Sequence, residues 1–233
     1  MITKISRNQY LSAFLQYLSH YSGEESERLP SLIELSQELG ISVASIREQL
    51  EVARIMGLIE VRPRTGIQKL PYNFTKTLMT SVFYALENDK SAFEQISDLR
   101  KHLESAYWQE AASKLTDSDV GKLHEIIANA FHKLHRKPPQ IPHEEHKRFH
   151  LLMYQKLNNP FVTGLLEAYW QAYEAMGLDV YADLQYLEQV WAFHLKTVEA
   201  IARGDIESGY KSFADHIDLI SRRKQPSRAS SFE

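Results

Sequence analysis

Residues 29–70 read LPSLIELSQELGISVASIREQLEVARIMGLIEVRPRTGIQKL, and this stretch decides the fold. Ser31 stands where it can cap a short helix that runs to about Leu39 and stops at Gly40. Ser42 can cap the next helix, which runs to about Met56 before Gly57 ends it. From Leu58 the pattern changes: residues alternate, β-branched side chains enter, and Pro63-Arg64-Thr65-Gly66 supplies a turn, so the segment reads as a hairpin. Upstream, Tyr10, Phe14, Leu15 and Leu18 share one face of a helix expected over about Gln9 to Tyr21. Helix, short helix, glycine turn, second helix and hairpin is the order of a winged helix-turn-helix.

In that layout the helix after Ser42 enters the major groove of DNA. Ser42, Val43, Ser45 and Ile46 then stand near base edges or thymine methyls, and Arg47 within reach of a phosphate or a guanine. Arg62, Arg64 and Thr65 at the hairpin tip are expected at the backbone or minor groove, with Gly66 allowing the tight turn. A helix pair with a glycine turn also occurs in proteins that bind no DNA. From Ile41 to Lys69 five Lys and Arg face three Glu, so the local excess of positive charge is modest.

Working outward, LPYNFTK reads as a linker, after which helical periodicity returns and persists. Helices are expected near Thr75–Glu87, Ala92–Leu115, Ser118–Arg136, Pro142–Leu157, Pro160–Met176, Asp183–Arg203 and Ile206–Arg222. They are broken at RKPPQIP, NNP, GLDVYAD and RGD. The fold class is mainly α: an N-terminal winged helix-turn-helix over 1–70 with a small β-hairpin wing, a linker over 71–75, an all-α bundle over 76–223 and a disordered tail over 224–233. At 43% hydrophobic and 24% charged residues, the composition is that of a soluble globular protein. No apolar run is long enough for a membrane helix and no signal peptide is legible, so no membrane partner is expected. Cysteine is absent, which favours a cytoplasmic protein and excludes thiolate metal sites.

Any metal must therefore be held by His, Asp or Glu. His146 and His150 are four residues apart and share a helix face, while His194 and His216 sit in later amphipathic helices. Neutral imidazole is the commonest metal ligand, and this set points to a divalent metal inside the bundle. Each histidine alone also fits a surface or hydrogen-bonded core residue. His143 competes with His146, because His143, His146 and His150 share a face; His132 and His135 read as solvent-facing.

The chain resembles the GntR family of bacterial regulators in its first part. The resemblance rests on Leu29-Pro30, Leu39-Gly40-Ile41-Ser42, Ile46-Arg47-Glu48, Gly57-Leu58-Ile59 and Arg62-Pro63-Arg64-x-Gly66. The family pattern has Glu-Arg where this chain has Leu32-Ile33, and Arg where it has Val43. An operator different from the usual one is expected, with an apolar contact from Val43. The second part resembles the helical ligand-binding domain, the FCD domain, of the FadR subfamily. The matching segments are Asp98-Leu99-Arg100, Leu103-Glu104, Phe149-His150, Asn158-Asn159-Pro160-Phe161, His194, Gly204-Asp205 and His216. That resemblance implies a divalent metal on His150, His194 and His216, with His146 replacing the family's aspartate. A set of neutral nitrogens suits zinc or nickel, or copper, better than magnesium or calcium. It also leaves the ion's charge uncompensated and attractive to a small organic acid. The resemblance places Arg100 at the effector, where a guanidinium can clamp a carboxylate; the competing reading is a surface ion pair with Glu104 at i+4.

The functional expectation is a homodimeric, ligand-responsive transcriptional regulator, of repressor type, acting on a pseudo-palindromic double-stranded operator. A regulator for which the metal itself is the signal is the alternative, and a helical metal-dependent hydrolase is a third reading. Enzyme signatures are missing: His143-Glu144-Glu145-His146 lacks the second histidine of a zinc-protease motif at Lys147, and no histidine has Glu three residues before it.

Overall fold

The structure is a computed structural model that describes residues 10–22, 28–176 and 183–221, with side chains as far as His216. The expected helix start at Gln9, most of the acidic stretch before Arg28, residues 177–182 of the GLDVYAD break, the helix end at Arg222 and the tail over 224–233 lie outside the described residues. The chain forms two compact units, Met1–Ser81 and Val82–Glu233.

The first unit begins with α1 (Ala13–His20), whose N-terminal amide at Leu15 is capped by the Ser12 hydroxyl at 3.4 Å. Phe14, Leu15 and Leu18 are buried as expected, but Tyr10 is 75% exposed. The cap at Ser12 starts the helix at Ala13, so Tyr10 never joins its apolar face. In α2 (Leu32–Leu39) Ser31 and Glu34 cap one another reciprocally, and Gly40 closes the helix at φ 65°. The Ser42 hydroxyl accepts from the Ser45 amide at 3.1 Å and opens α3 (Val43–Ile55).

Strands β1 (Ile59–Arg62) and β2 (Gly66–Lys69) pair antiparallel from Ile59↔Lys69 to Arg62↔Gly66, leaving Pro63, Arg64 and Thr65 as the loop. Arg64 and Gly66 both take positive φ, 71° and 79°. Two four-residue strands are marginal alone. Here the extended chain before α2 adds to them: the Leu29 amide donates to the Ile67 carbonyl at 2.8 Å, and Arg28 bridges Gln68. Phe14, Leu29, Leu35, Ile46, Ala53, Ile59 and Ile67 form the core of this unit. The result is a winged helix-turn-helix.

Helix α4 (Phe74–Asn88) starts inside the expected linker, because the Asn73 side chain accepts from the Lys76 amide at 3.3 Å; the division between the two units falls within this helix.

The second unit is a helical bundle of α5 (Ala92–Ser113), α6 (Asp117–Leu134), α7 (His143–Tyr154), α8 (Pro160–Ala175), α9 (Leu184–Ala202) and α10 (Ile206–Ser221). Caps fix the breaks: Thr116 and Asp119 cap α6 reciprocally, and Asn159 followed by Pro160 opens α8. The Thr116 hydroxyl and amide, with Lys156 nearby, hold the Asp119 carboxyl down at about 2. A 3-10 turn over Gln155–Leu157 and the left-handed Asn158 (φ 50°) turn the chain between α7 and α8. Helix α9 packs on α6 and α10, and α5 packs on α7, α8 and α10. The Trp108 indole donates to the Ile206 carbonyl at 3.1 Å and ties α5 to the start of α10. Trp108, Leu123, Phe149, Met153, Tyr154, Trp191 and Phe213 fill the core, each large side chain contributing roughly 1.5–3 kcal/mol of burial.

Candidate metal centre

The packing of α7, α9 and α10 brings four histidines together. His146 and His150 project from successive turns of α7, His194 comes from α9 and His216 from α10. Each offers a nitrogen, and the four nitrogens lie within 4.8 Å of one another. His150, His194 and His216 are fully buried, and His146 is half-buried. The His194 and His216 rings are closest, with centroids 4.1 Å apart. His143 stays outside the set. It is the first residue of α7, a turn short of the cluster, and lines the cleft that leads to it.

Six buried ring nitrogens of these histidines have no hydrogen-bond partner among the described residues: Nε2 of His146 and His150, and both nitrogens of His194 and His216. A buried polar atom without a partner costs about 1–3 kcal/mol. One nitrogen from each of the four rings can face a shared partner, which would satisfy four of them at once. A tetrahedral ion with bonds of about 2.1 Å needs nitrogens roughly 3.4 Å apart, so small ring rotations close the site. The donor set therefore fits a divalent ion that prefers nitrogen.

Protonation agrees. Burial, followed by the neighbouring histidines, pushes the imidazoles of His146, His194 and His216 well below their ordinary value, so each is neutral near pH 7 with a lone pair to offer. His150 is lowered less firmly, because Glu104 opposes the effect of burial. Its Nδ1 lies 2.8 Å from the Glu104 carboxylate, which is held ionised by Arg100 and His150 against its own burial. An ionised carboxylate only accepts, so Nδ1 donates to it and Nε2 is left facing the other three rings.

Arg100 lies beside this group but is not a free clamp. Its Nε donates to the second Glu104 oxygen at 2.8 Å, and its guanidinium sits over the rings of Tyr169 at 4.6 Å and Trp170 at 5.3 Å. The i,i+4 pair with Glu104 exists, but it is buried rather than on the surface: Arg100 is 4% exposed and Glu104 0%. Glu104 and Trp170 are functional neighbours that sequence spacing did not single out for the site. A small cleft of about 90 Å³, lined by His143, His146, Lys147, Trp170 and Tyr173, opens onto His146.

On the winged unit, Ser42 and Arg47 are exposed at the start of α3, while Val43 and Ser45 are half-buried. Ile46 is a correction. It is 0% exposed and packs in the core with Phe14 and Leu35, so it cannot touch a base. Ser45 accepts from the Gln49 side chain at 3.1 Å. At the hairpin Arg62, Arg64 and Thr65 are exposed, though Arg62 pairs with Glu60 at 2.9 Å. Arg28 was not anticipated: its Nε lies 2.8 Å from where a Cβ on Gly66 would stand, so it adds a cation beside the wing.

A match to the FCD domain spans residues 95–219, more than half of the chain and every residue of this site. The chain belongs to the FCD-domain family. Over 202 residues this FCD protein is 25% identical to the Uxu operon transcriptional regulator of Escherichia coli (strain K12), covering 84% of its own length and 78% of the relative's. It is 23% identical over 221 residues to the uncharacterized HTH-type transcriptional regulator YcbG of Bacillus subtilis (strain 168), covering 93% and 89%. Its fold is shared with Streptococcus agalactiae GntR, at a TM-score of 0.68 and 17% identity, over 91% of this chain and 96% of that one. The chain thus carries an FCD domain behind a winged helix-turn-helix, and the curated relatives it matches are named as transcriptional regulators.

Proposed function

We propose that this FCD-domain regulator binds a divalent metal, zinc or nickel, through His146, His150, His194 and His216, and a small organic acid on the same centre. The supporting observation is the convergence of four imidazole nitrogens, one from each ring, within 4.8 Å of one another, on rings that each carry a buried nitrogen without a partner. Glu104 and Arg100 cancel in charge and the imidazoles are neutral, so an ion here keeps its full positive charge. That charge favours an anion reaching the centre through the cleft beside His146. The winged unit binds double-stranded DNA through Ser42, Val43, Ser45 and Arg47 of α3 and Arg62, Arg64, Thr65 and Gly66 of the wing. A homodimer sets two such units on a pseudo-palindrome. Ligand binding shifts DNA affinity only by its differential affinity for the two states, and the sign taken is repression relieved by the effector.

One observation favours the reading in which the metal is itself the signal. Arg100, the expected clamp for a carboxylate, is already held by Glu104 and covered by Tyr169 and Trp170. Operator binding measured on metal-free protein, on zinc- or nickel-loaded protein, and on loaded protein with a panel of small carboxylates separates the two. A change on loading alone identifies a metal sensor, and a change only with a carboxylate identifies an effector sensor. If His150→Ala and His194→Ala proteins retain a full complement of metal, the site is wrong.

A further inference from the structure

We infer that Glu104 is the positioning residue of the metal centre, fixing the His150 ring so that Nε2 is its ligand atom and joining that ring to Arg100. The inference rests on the metal reading above. Three contacts hold Glu104 in place. Its Oε1 accepts from His150 Nδ1 at 2.8 Å, its Oε2 accepts from Arg100 Nε at 2.8 Å, and its backbone carbonyl accepts from the Tyr154 hydroxyl at 2.9 Å.

A carboxylate that served only as an ion-pair partner for Arg100 could stand at the surface, where i,i+4 pairs on a helix ordinarily lie. This one is 0% exposed, together with the ring it touches. Burying a carboxylate is costly unless its charge and lone pairs are satisfied. Here one oxygen is spent on the guanidinium and the other on the imidazole. His150 differs from His194 and His216 in this respect: both of their nitrogens lack partners, whereas His150 lacks one only at Nε2. A ring whose far nitrogen donates to a fixed carboxylate has one tautomer and one orientation, and its free nitrogen is made more basic. His150 is therefore the oriented ligand of the four.

The same geometry links metal to effector. One carboxylate holds both the ligand His150 and the cation Arg100, so a molecule that draws Arg100 away changes the partner of His150 as well.

The test uses the full-length protein. Zinc and nickel affinities are measured by competition with a chromophoric chelator for wild type, Glu104→Leu and Glu104→Gln, each checked for native helix content. Long-range proton–nitrogen correlation spectra report which His150 nitrogen carries the hydrogen. Positioning by Glu104 predicts a 10- to 100-fold loss of affinity in Glu104→Leu. It predicts a smaller loss in Glu104→Gln, which keeps an acceptor oxygen, and a hydrogen on Nδ1 of His150 in wild type. A folded Glu104→Leu protein within twofold of wild-type affinity overturns the inference, as do equal losses in the two variants. If Glu104→Leu does not fold, a His150 hydrogen on Nε2 in wild type overturns it alone. In each of those results the metal reading stands; a wild-type protein that binds neither zinc nor nickel removes both.

Discussion

Metal-free protein should lose stability steeply as pH falls from 7.0 to 5.5. His146, His194 and His216 are each held neutral in the folded state by burial, with pKa values well below 6.5. In the unfolded chain they titrate near 6.5. Between the two values the unfolded chain binds protons that the folded chain does not, so stability is present above the unfolded pKa and is lost as pH falls below it. For one such histidine the loss from pH 7.0 to 5.5 is about 1.3 kcal/mol, and for three about 4 kcal/mol. Against a typical 5–15 kcal/mol for a domain, that is enough to approach unfolding. Carboxylates in the unfolded chain titrate at about 4, below this window, and so do not mask it. The assay is urea unfolding of chelator-treated protein followed by tryptophan fluorescence. Trp108, Trp170 and Trp191 all lie in the second unit, so the signal reports that unit alone. His194→Asn should remove about a third of the pH-dependent loss, whereas zinc should raise stability without removing that loss, since it keeps the folded rings neutral just as burial does. A loss under about 1.5 kcal/mol for the wild type, or one unchanged in His194→Asn, would refute the reasoning.

Three further outcomes are expected. Ile46→Ala should destabilise the winged unit by about 2–5 kcal/mol, measured by thermal melting, because Ile46 is core; unchanged stability with altered operator preference would instead return it to the interface. Gly66→Ala forces a side chain onto φ 79° and against the Arg28 side chain, so it should cost about 1–3 kcal/mol and weaken DNA binding together, read by melting and by fluorescence anisotropy. Arg64→Ala should lower the slope of log affinity against log salt by about 1, with little change between operator sequences, as removal of a phosphate contact requires.

Much of the winged unit is legible because its signals are local. Ser31, Gly40, Ser42 and Gly57 each act within one turn of where they stand, and the helix limits follow them. Tyr10 is misread because apolar spacing continues upstream past Ser12, where the cap has already fixed the helix start. Ile46 is ambiguous in sequence, since an apolar residue in the first turn of a recognition helix suits a thymine methyl and a core equally. In the bundle, the i,i+4 spacing of His146 and His150 is enough to pair them. Their meeting with His194 and His216 depends on how α9 and α10 pack, which spacing alone does not set; the residue types suggested the set and the family resemblance gave its positions. The Arg100–Glu104 pair is misjudged for a related reason: on the 22-residue α5, i,i+4 spacing is the same on the buried and the exposed face. The role of Glu104 appears only when His150, 46 positions away, is beside it.

Of the four rings, three are sealed in the core and, among the described residues, only His146 borders the cleft. In the proposed metal centre an ion would therefore exchange at that edge, with His146 as the first ring to meet it and the last to let it go. In that proposed centre, equilibrium affinity would be shared among all four ligands, but the lifetime of the bound ion would depend mostly on how readily this single ring swings aside. A change at His146 would then set how long the protein remembers a past exposure to metal, separately from how tightly it holds the ion at rest.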